Sequence, residues 1–213
     1  MSRIRRAAPL PVAFFGRDTI DVARELLGAR LVSSRRGVRT VGRIVEVEAY
    51  LGAEDPASHA YAYRRHRQNE SLYGPIGSWY VYLSYGMHWC ANLVAGPWGL
   101  GSAILIRALE PLEGLPAMRR RRGEVPDRAL CSGPGRLTQA MGITRALDGH
   151  SMPKAPIVIV PGEAPAEESI AATPRIGLTK AADWPLRFAI RGSPWVSGPR
   201  IRELPAKKSG GDG

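Results

Sequence analysis

The stretch Arg43-Ile44-Val45-Glu46-Val47-Glu48-Ala49-Tyr50 decides the architecture of this chain. Alternation of side chains along a strand places Ile44, Glu46, Glu48 and Tyr50 on one face and Val45, Val47 and Ala49 on the other. Two acids and a tyrosine therefore look the same way. Further on, Ser78-Trp79-Tyr80-Val81-Tyr82-Leu83-Ser84-Tyr85-Gly86-Met87-His88-Trp89-Cys90-Ala91-Asn92 gives two β-forming runs broken at Gly86, a hairpin with Tyr85 at its tip. An aromatic ring on an exposed tip implies a surface that receives it.

Outward from that pair, Asp18 is the N-cap of a helix over Thr19–Leu27, stopped by Gly28. Ala29–Val32 and Val41–Tyr50 read as strands joined by the turn Ser33–Gly37, and Ser102–Leu109 as another, with Ile104 and Ile106 on one face and Ala103, Leu105, Arg107 and Leu109 on the other. Arg107 interrupts an apolar run, and a buried arginine must hold a carboxylate or face a ligand. Pro111 is expected to begin a helix ending in Arg119–Arg122, Ser132-Gly133-Pro134-Gly135 to precede a short helix over Arg136–Met141, and Ile157–Val160 and Leu186–Arg191 to complete the strands. Between Leu51 and Gly77 periodicity is lost, and His59, Tyr61, Tyr63, Arg64, Arg65, His66 and Arg67 mix rings with positive charge. That mixture suits nucleic acid, since every base has a stackable face and every link a phosphate. The expected fold class is α+β, a single mixed domain with a curved, mainly antiparallel sheet, flanking helices and a protruding β-hairpin. A basic arm over residues 1–13 and a disordered Gly-rich tail over 201–213 flank a domain over 14–200.

Composition narrows the partner. The chain has 213 residues, a formal charge of +11, and only four lysines among its 30 basic residues. Guanidinium forks match phosphate oxygens, so a polyanion is the expected partner. The two cysteines, Cys90 and Cys131, are too few for a disulfide framework and fit a cytoplasmic location, or a nucleoid-associated one in a bacterium. The start imitates a secretion signal, with Arg3, Arg5 and Arg6 before an apolar run, but Pro9 and Pro11 and the lack of a cleavage site argue against one. No segment approaches the roughly 18 unbroken apolar residues of a membrane span. No Walker loop or Gly-x-Gly-x-x-Gly supports a nucleotide cofactor, no Cys-x-x-Cys pair supports a metal, and no lysine in the aromatic and acidic stretch supports Schiff-base chemistry.

Two carboxylates remain, beside aromatic rings, in a basic protein. As surface acids Glu46 and Glu48 would be ordinary, yet Tyr50, Tyr80 and Tyr82 are flat rings and Asn92 can meet a base edge as donor and acceptor. A glutamate beside a ring-lined slot is what activating water next to a stacked base requires. Two other readings stay open here: a non-catalytic basic nucleic-acid-binding module, and a carbohydrate hydrolase using Glu46 and Glu48, which two apart on one strand sit roughly 6 to 7 Å from each other.

Several segments also resemble the alkyladenine (3-methyladenine) DNA glycosylases: Arg43 to Gly52, Asp55 to His59, Tyr80-Val81-Tyr82 with Tyr85-Gly86-Met87, Cys90 with Asn92, Arg107-Ala108-Leu109-Glu110-Pro111, Cys131-Ser132-Gly133-Pro134 and Arg191-Gly192-Ser193-Pro194-Trp195. The likeness keeps its order from about Phe14 to Ser197, departing in the loop Ala95–Gly101 and at Val47, which stands where threonine is common. It implies a monofunctional glycosylase that flips alkylated or deaminated purines out of double-stranded DNA and hydrolyses the glycosidic bond, acting as a monomer without metal, cofactor or lyase lysine. It assigns Glu48 as general base and Arg107 as its partner in holding water. Tyr50, His59, Tyr82, Asn92 and Ile176 would line the base pocket, with Asn92 crowding the exocyclic amine of guanine. Tyr85 and Met87 would enter the duplex, and Arg64, Arg65, Arg67 and Arg191 are the candidates for phosphate contact.

Overall fold

The computed structural model describes residues 7–35, 37–152, 154–198 and 201. The basic residues at 3, 5 and 6 and most of the expected tail lie outside them. Eight strands form one sheet: β1 (Arg30–Arg35), β2 (Val38–Tyr50), β3 (Trp79–Ser84), β4 (His88–Val94), β5 (Ala103–Glu113), β6 (Ile157–Val160), β7 (Ile170–Thr173) and β8 (Arg187–Ile190). The spatial order is β3-β4-β5-β2-β1-β6, and β8 pairs with both β2 and β7. Every described strand pairing is antiparallel. Helices are short: α1 (Val12–Phe15), α2 (Thr19–Glu25), α3 (Leu115–Arg122) and α4 (Pro134–Met141). The domain is α+β with a curled antiparallel sheet, as the alternation of the strands predicts.

β2 is the spine of the sheet. One edge runs along β5, and the other is shared, with Arg43 and the residues before it pairing to β1 and Glu46–Glu48 pairing to β8. The main core fills one face, where Ile44, Val47, Ala49, Ile104, Ile106 and Leu109 pack with Trp79, Phe15, Leu26 and Leu31. Asp18 caps α2 by accepting the N–H groups of Ile20 and Asp21 at 2.8 and 3.1 Å, a contribution of about 1 kcal/mol.

The strand register corrects the simple alternation in two places. Ile44 pairs with Leu109 and Glu46 with Ala108, so Val45 is an extra residue on β2; Glu46 pairs with Ala108 and Val47 with Ile106, so Arg107 is an extra residue on β5. Two facing bulges thus reverse parity, and Ile44 and Leu109 join the core face instead of the face of Glu46 and Arg107. The expected helix start at Pro111 is also corrected. Pro111 sits inside β5 opposite Gly42, at a register shift where a missing N–H is tolerated, and α3 begins at Leu115 after Gly114, whose φ is 80°. The four-residue strand β7 has no alternation strong enough to read from sequence.

Candidate active site

The face of the sheet opposite the main core carries the site. Strand pairing sets Glu48 beside Leu105, Leu105 beside Asn92 and Asn92 beside Tyr80, one lateral row across β2, β5, β4 and β3. Tyr50 lies one step along, beside Ala103, and Tyr82 beside Cys90. A slot of about 80 Å³ opens on this face, walled by Tyr50, Ala57, Ser58, His59, Leu72, Tyr80, Tyr82, Asn92, Ala103 and Leu178. That is well below the roughly 300 Å³ or more of a drug-sized pocket.

Its walls are ordered before any ligand arrives. Tyr80 and Tyr82 stack with ring centres 5.3 Å apart and 24° between planes, and His59 meets Tyr82 edge-on at 4.6 Å. His59 Nδ1 and the Tyr80 hydroxyl share a hydrogen bond of 2.7 Å. Burial, then the neighbouring His66 and Arg64, push the His59 pKa down, so the imidazole is neutral at physiological pH. Burial holds the phenols of Tyr50, Tyr80 and Tyr82 well above their usual range, so all three are hydroxyls. Asn92 donates through Nδ2 to the Tyr80 carbonyl at 3.1 Å, which fixes its amide in the slot wall. The connection that carries His59 is held by buried Asn69, which donates to the carbonyls of His59 and Arg64 at 3.0 and 2.9 Å and accepts the His66 N–H at 2.8 Å.

Glu46 and Glu48 are both fully buried, which overturns the surface alternative for the pair. They differ in occupation. Glu46 accepts from Arg187 Nε at 2.6 Å, Arg107 Nε at 3.2 Å, and the Ser197 N–H and hydroxyl at 2.6 and 3.0 Å. Three of these donors fall on Oε1 and the Ser197 N–H on Oε2, and two of them are buried guanidinium groups that hold Glu46 in ion pairs, so it is committed to structure and the paired-acid hydrolase loses its second acid. Glu48 Oε2 takes the Tyr50 hydroxyl at 2.9 Å and Arg107 Nη1 at 3.0 Å, whereas Oε1 takes the Ile176 N–H at 2.8 Å alone. One lone pair on Oε1 is therefore free. Burial works against the charge on Arg107, but Glu48 and Glu46 outweigh it and hold the guanidinium ionised.

Ile176 enters through its main chain, while Leu178 supplies the side chain from that loop to the slot. Arg187, Arg175 and Ser197 were not singled out from the sequence. The two arginines carry the signal that marks Arg107, a guanidinium inside an apolar run, and each is 4% exposed. Ser197 has no such signal.

The hairpin tip lies beside the slot mouth. Tyr85 is 85% exposed and Met87 71%, and the turn closes with the Met87 N–H donating to the Ser84 carbonyl at 3.0 Å. Tyr85 holds φ at 50° and Gly86 at 69°. Both values are those of a primed hairpin turn, whose two central residues are left-handed, a conformation that is uncommon for a bulky residue. Grooves flank the tip on two sides, one lined by His59, Arg64, His66 and Arg145, the other by His88, Arg122 and Arg136 with the Ser132–Gly135 loop. Arg64 and Arg67 are exposed, Arg65 is forked onto Glu70, and Arg191 stands apart at the end of β8. Of the run Arg119–Arg122, Arg119 pairs with Asp127, Arg121 donates to the Ala140 carbonyl and Arg122 to Gln139, so three of the four hold α3 to its neighbours. Among the described residues there is no cluster of three or more His, Cys, Asp or Glu side chains that could hold a metal, and no helix long and apolar enough to cross a membrane.

Residues 13–194 match the model of the methylpurine-DNA glycosylase family. A relative from Methanoculleus marisnigri is 51% identical over 191 residues, covering 88% of this chain and 98% of its own length. One from Burkholderia lata is 49% identical over 199 residues, covering 92% and 94%, and one from Rhodopseudomonas palustris is 51% identical over 186 residues, covering 87% and 86%. All three bear the name "Putative 3-methyladenine DNA glycosylase". On a match that spans the sheet, the ring-lined slot and the buried carboxylate behind it, this chain belongs to the methylpurine-DNA glycosylase family.

Proposed function

We propose that this protein is a monofunctional DNA repair glycosylase that turns alkylated or deaminated purines out of duplex DNA and hydrolyses their N-glycosidic bond, leaving an abasic site. The observation that carries the mechanism is Glu48, a buried carboxylate with one free lone pair on Oε1, bonded to the hydroxyl of a ring that walls the slot. A base in that slot brings its sugar carbon toward the carboxylate. Water held on Oε1 loses a proton to Glu48 as it attacks, a step for which a general base supplies about 10² to 10⁴-fold. Arg107 stays ionised and balances the charge of the carboxylate. Glu48 has no exposed surface in the free protein, so the water enters with the nucleotide.

The energies support this reading. Extrusion costs a few kcal/mol, least at a damaged pair, and each stacked ring returns about 1 to 3 kcal/mol. Tyr85 fills the vacated place, and a purine alkylated on a ring nitrogen is a cation that phenol faces attract by up to about 2 kcal/mol. Such a base is also a good leaving group, so activated water is sufficient help. The test is free-base release from duplexes carrying single methylated purines, followed by alkali to reveal abasic sites. Wild type should release base without cutting the strand; Glu48→Gln should bind lesion DNA as before and release base at least 100-fold more slowly, about the contribution of a general base. Normal release by that variant removes Glu48 from the role.

A further inference from the structure

Arg175 is buried, precedes a loop residue that touches Glu48, and makes contacts that the mechanism above does not use. Its guanidinium forks onto Asp55, with Nη2 to Oδ1 at 2.9 Å and Nη1 to Oδ2, and Nη1 also donates to the Ala49 carbonyl at 3.0 Å. The plane lies against the Tyr50 ring, 4.6 Å from its centre. Among the described residues Nε makes no hydrogen bond.

These contacts converge on one carboxylate by two routes. Through the Tyr50 ring, Arg175 fixes the hydroxyl that holds Glu48 Oε2; through the main chain, it fixes the Ile176 N–H that holds Oε1. Asp55 carries the same pair to the opposite wall, because its carboxylate also accepts the N–H groups of Leu51 at 3.1 Å and Ala57 at 3.0 Å, just before Ser58 and His59. Leu178, three residues beyond Arg175, lines the slot. The loop from Pro174 to Leu178 has no strand pairing of its own, so the fork on Asp55 is its anchor at this end.

We infer that Arg175, locked by Asp55, is a positioning residue that ties the wall of the base slot to the water-activating carboxylate, so that Glu48 is aimed at the sugar of a base lying in that slot. The inference rests on the glycosylase reading. A misplacement near 1 Å at a reacting group costs about 10²-fold in rate, which sets the expected effect. Arg175→Lys keeps a charge for Asp55 but loses the fork and the flat face; Asp55→Asn keeps the shape and breaks the charge pair.

The experiment measures single-turnover base release from saturating duplex carrying one 7-methylguanine, the equilibrium affinity for the same duplex, and the near-ultraviolet circular dichroism of each variant. Both variants should keep the wild-type dichroism and bind within about threefold of wild type, because the hairpin and the basic grooves are untouched, while the release constant falls about 100-fold. Wild-type release in both variants overturns the inference. So does a loss confined to binding, or a loss of native dichroism in both, which makes the pair a plain stabiliser. If the wild-type protein releases no base, the glycosylase reading fails instead, and the two failures are distinct.

Discussion

Glu46→Gln separates the two buried acids more sharply than any change at Glu48. Glu46 and Glu48 are two apart on β2 and both fully buried, yet Glu46 accepts four hydrogen bonds, two of them from guanidinium groups. With Glu46 ionised, the cluster of Glu46, Glu48, Arg107 and Arg187 is neutral. Neutralising Glu46 leaves Arg187 with no carboxylate partner and Arg107 with Glu48 alone. It also turns an amide N–H₂ toward donors, either the Ser197 N–H or an arginine. Breaking a buried pair of this kind costs about 3 to 5 kcal/mol. For a chain of this size 1 kcal/mol moves the melting point by about 2 to 4 °C, so a fall of roughly 6 to 20 °C is expected. Glu48→Gln is milder, because Arg107 and Arg187 both keep Glu46 as their carboxylate, although the Gln amide N–H₂ then faces Arg107. Thermal unfolding followed by circular dichroism, with base release measured well below both transitions, gives the comparison. Glu46→Gln should be unstable but active where folded, and Glu48→Gln stable but inactive. A Glu46→Gln melting point within 2 °C of wild type would refute the assignment of Glu46 to structure, as would a fully folded variant as inactive as Glu48→Gln.

Tyr85→Gly should weaken lesion-DNA binding by about 1 to 3 kcal/mol, the worth of one lost stack, in a fluorescence titration. The same variant should melt no lower than wild type, since glycine removes the strain of φ at 50°, about 1 kcal/mol for a side chain in the left-handed region. Release of a cationic purine should decline as pH falls through the folded-state pKa of His59, which burial holds below 6.5. Below 6.5 the unfolded chain takes up a proton that the depressed folded-state pKa of His59 resists, so its stabilising contribution, complete above 6.5, is lost as pH drops, and protonation places a cation beside the base. His59→Gln should remove that limb of the pH profile. Binding should weaken with salt at a log-log slope near 0.9 per phosphate contacted, and Arg64→Ala and Arg67→Ala should each flatten it by about that amount. Arg65→Ala should flatten it less, because its guanidinium is forked onto Glu70.

Most of the sheet was legible because its strands alternate, and the hairpin because Gly86 interrupts two β-forming runs. Position along the strand was therefore easier to read than facing. Ile44 and Leu109 fall on the other side because a bulge adds a residue without leaving a compositional trace; Val45, the extra residue on β2, is an ordinary apolar strand former. Pro111 misled for a related reason. A proline signals a missing donor, and helix start and strand irregularity both tolerate that, so only the partner strand decides between them.

The site follows the same logic one level up. Tyr50, Tyr82, Asn92, Glu48 and Arg107 lie on strands, where the period of two and the pairing register carry a side chain from sequence position to a place on a face. Residues whose contribution is a backbone N–H or a loop anchor have no such period. Ile176 reaches Glu48 through its amide, which every residue but proline possesses, and Ser197 closes the Glu46 cluster from a segment without regular structure. Arg175 and Arg187 were within reach, because a buried guanidinium demands a buried acid, and the described residues include three fully buried carboxylates, Glu46, Glu48 and Asp55, against three arginines buried with them. Matching those two sets from sequence would have required the bulge at Arg107, which allows one arginine to serve both glutamates and so frees Arg187 for Glu46 and Arg175 for Asp55. The irregularity that obscured facing is thus the feature that lets the charges close, because Arg107, the extra residue on β5, is the arginine that reaches both glutamates.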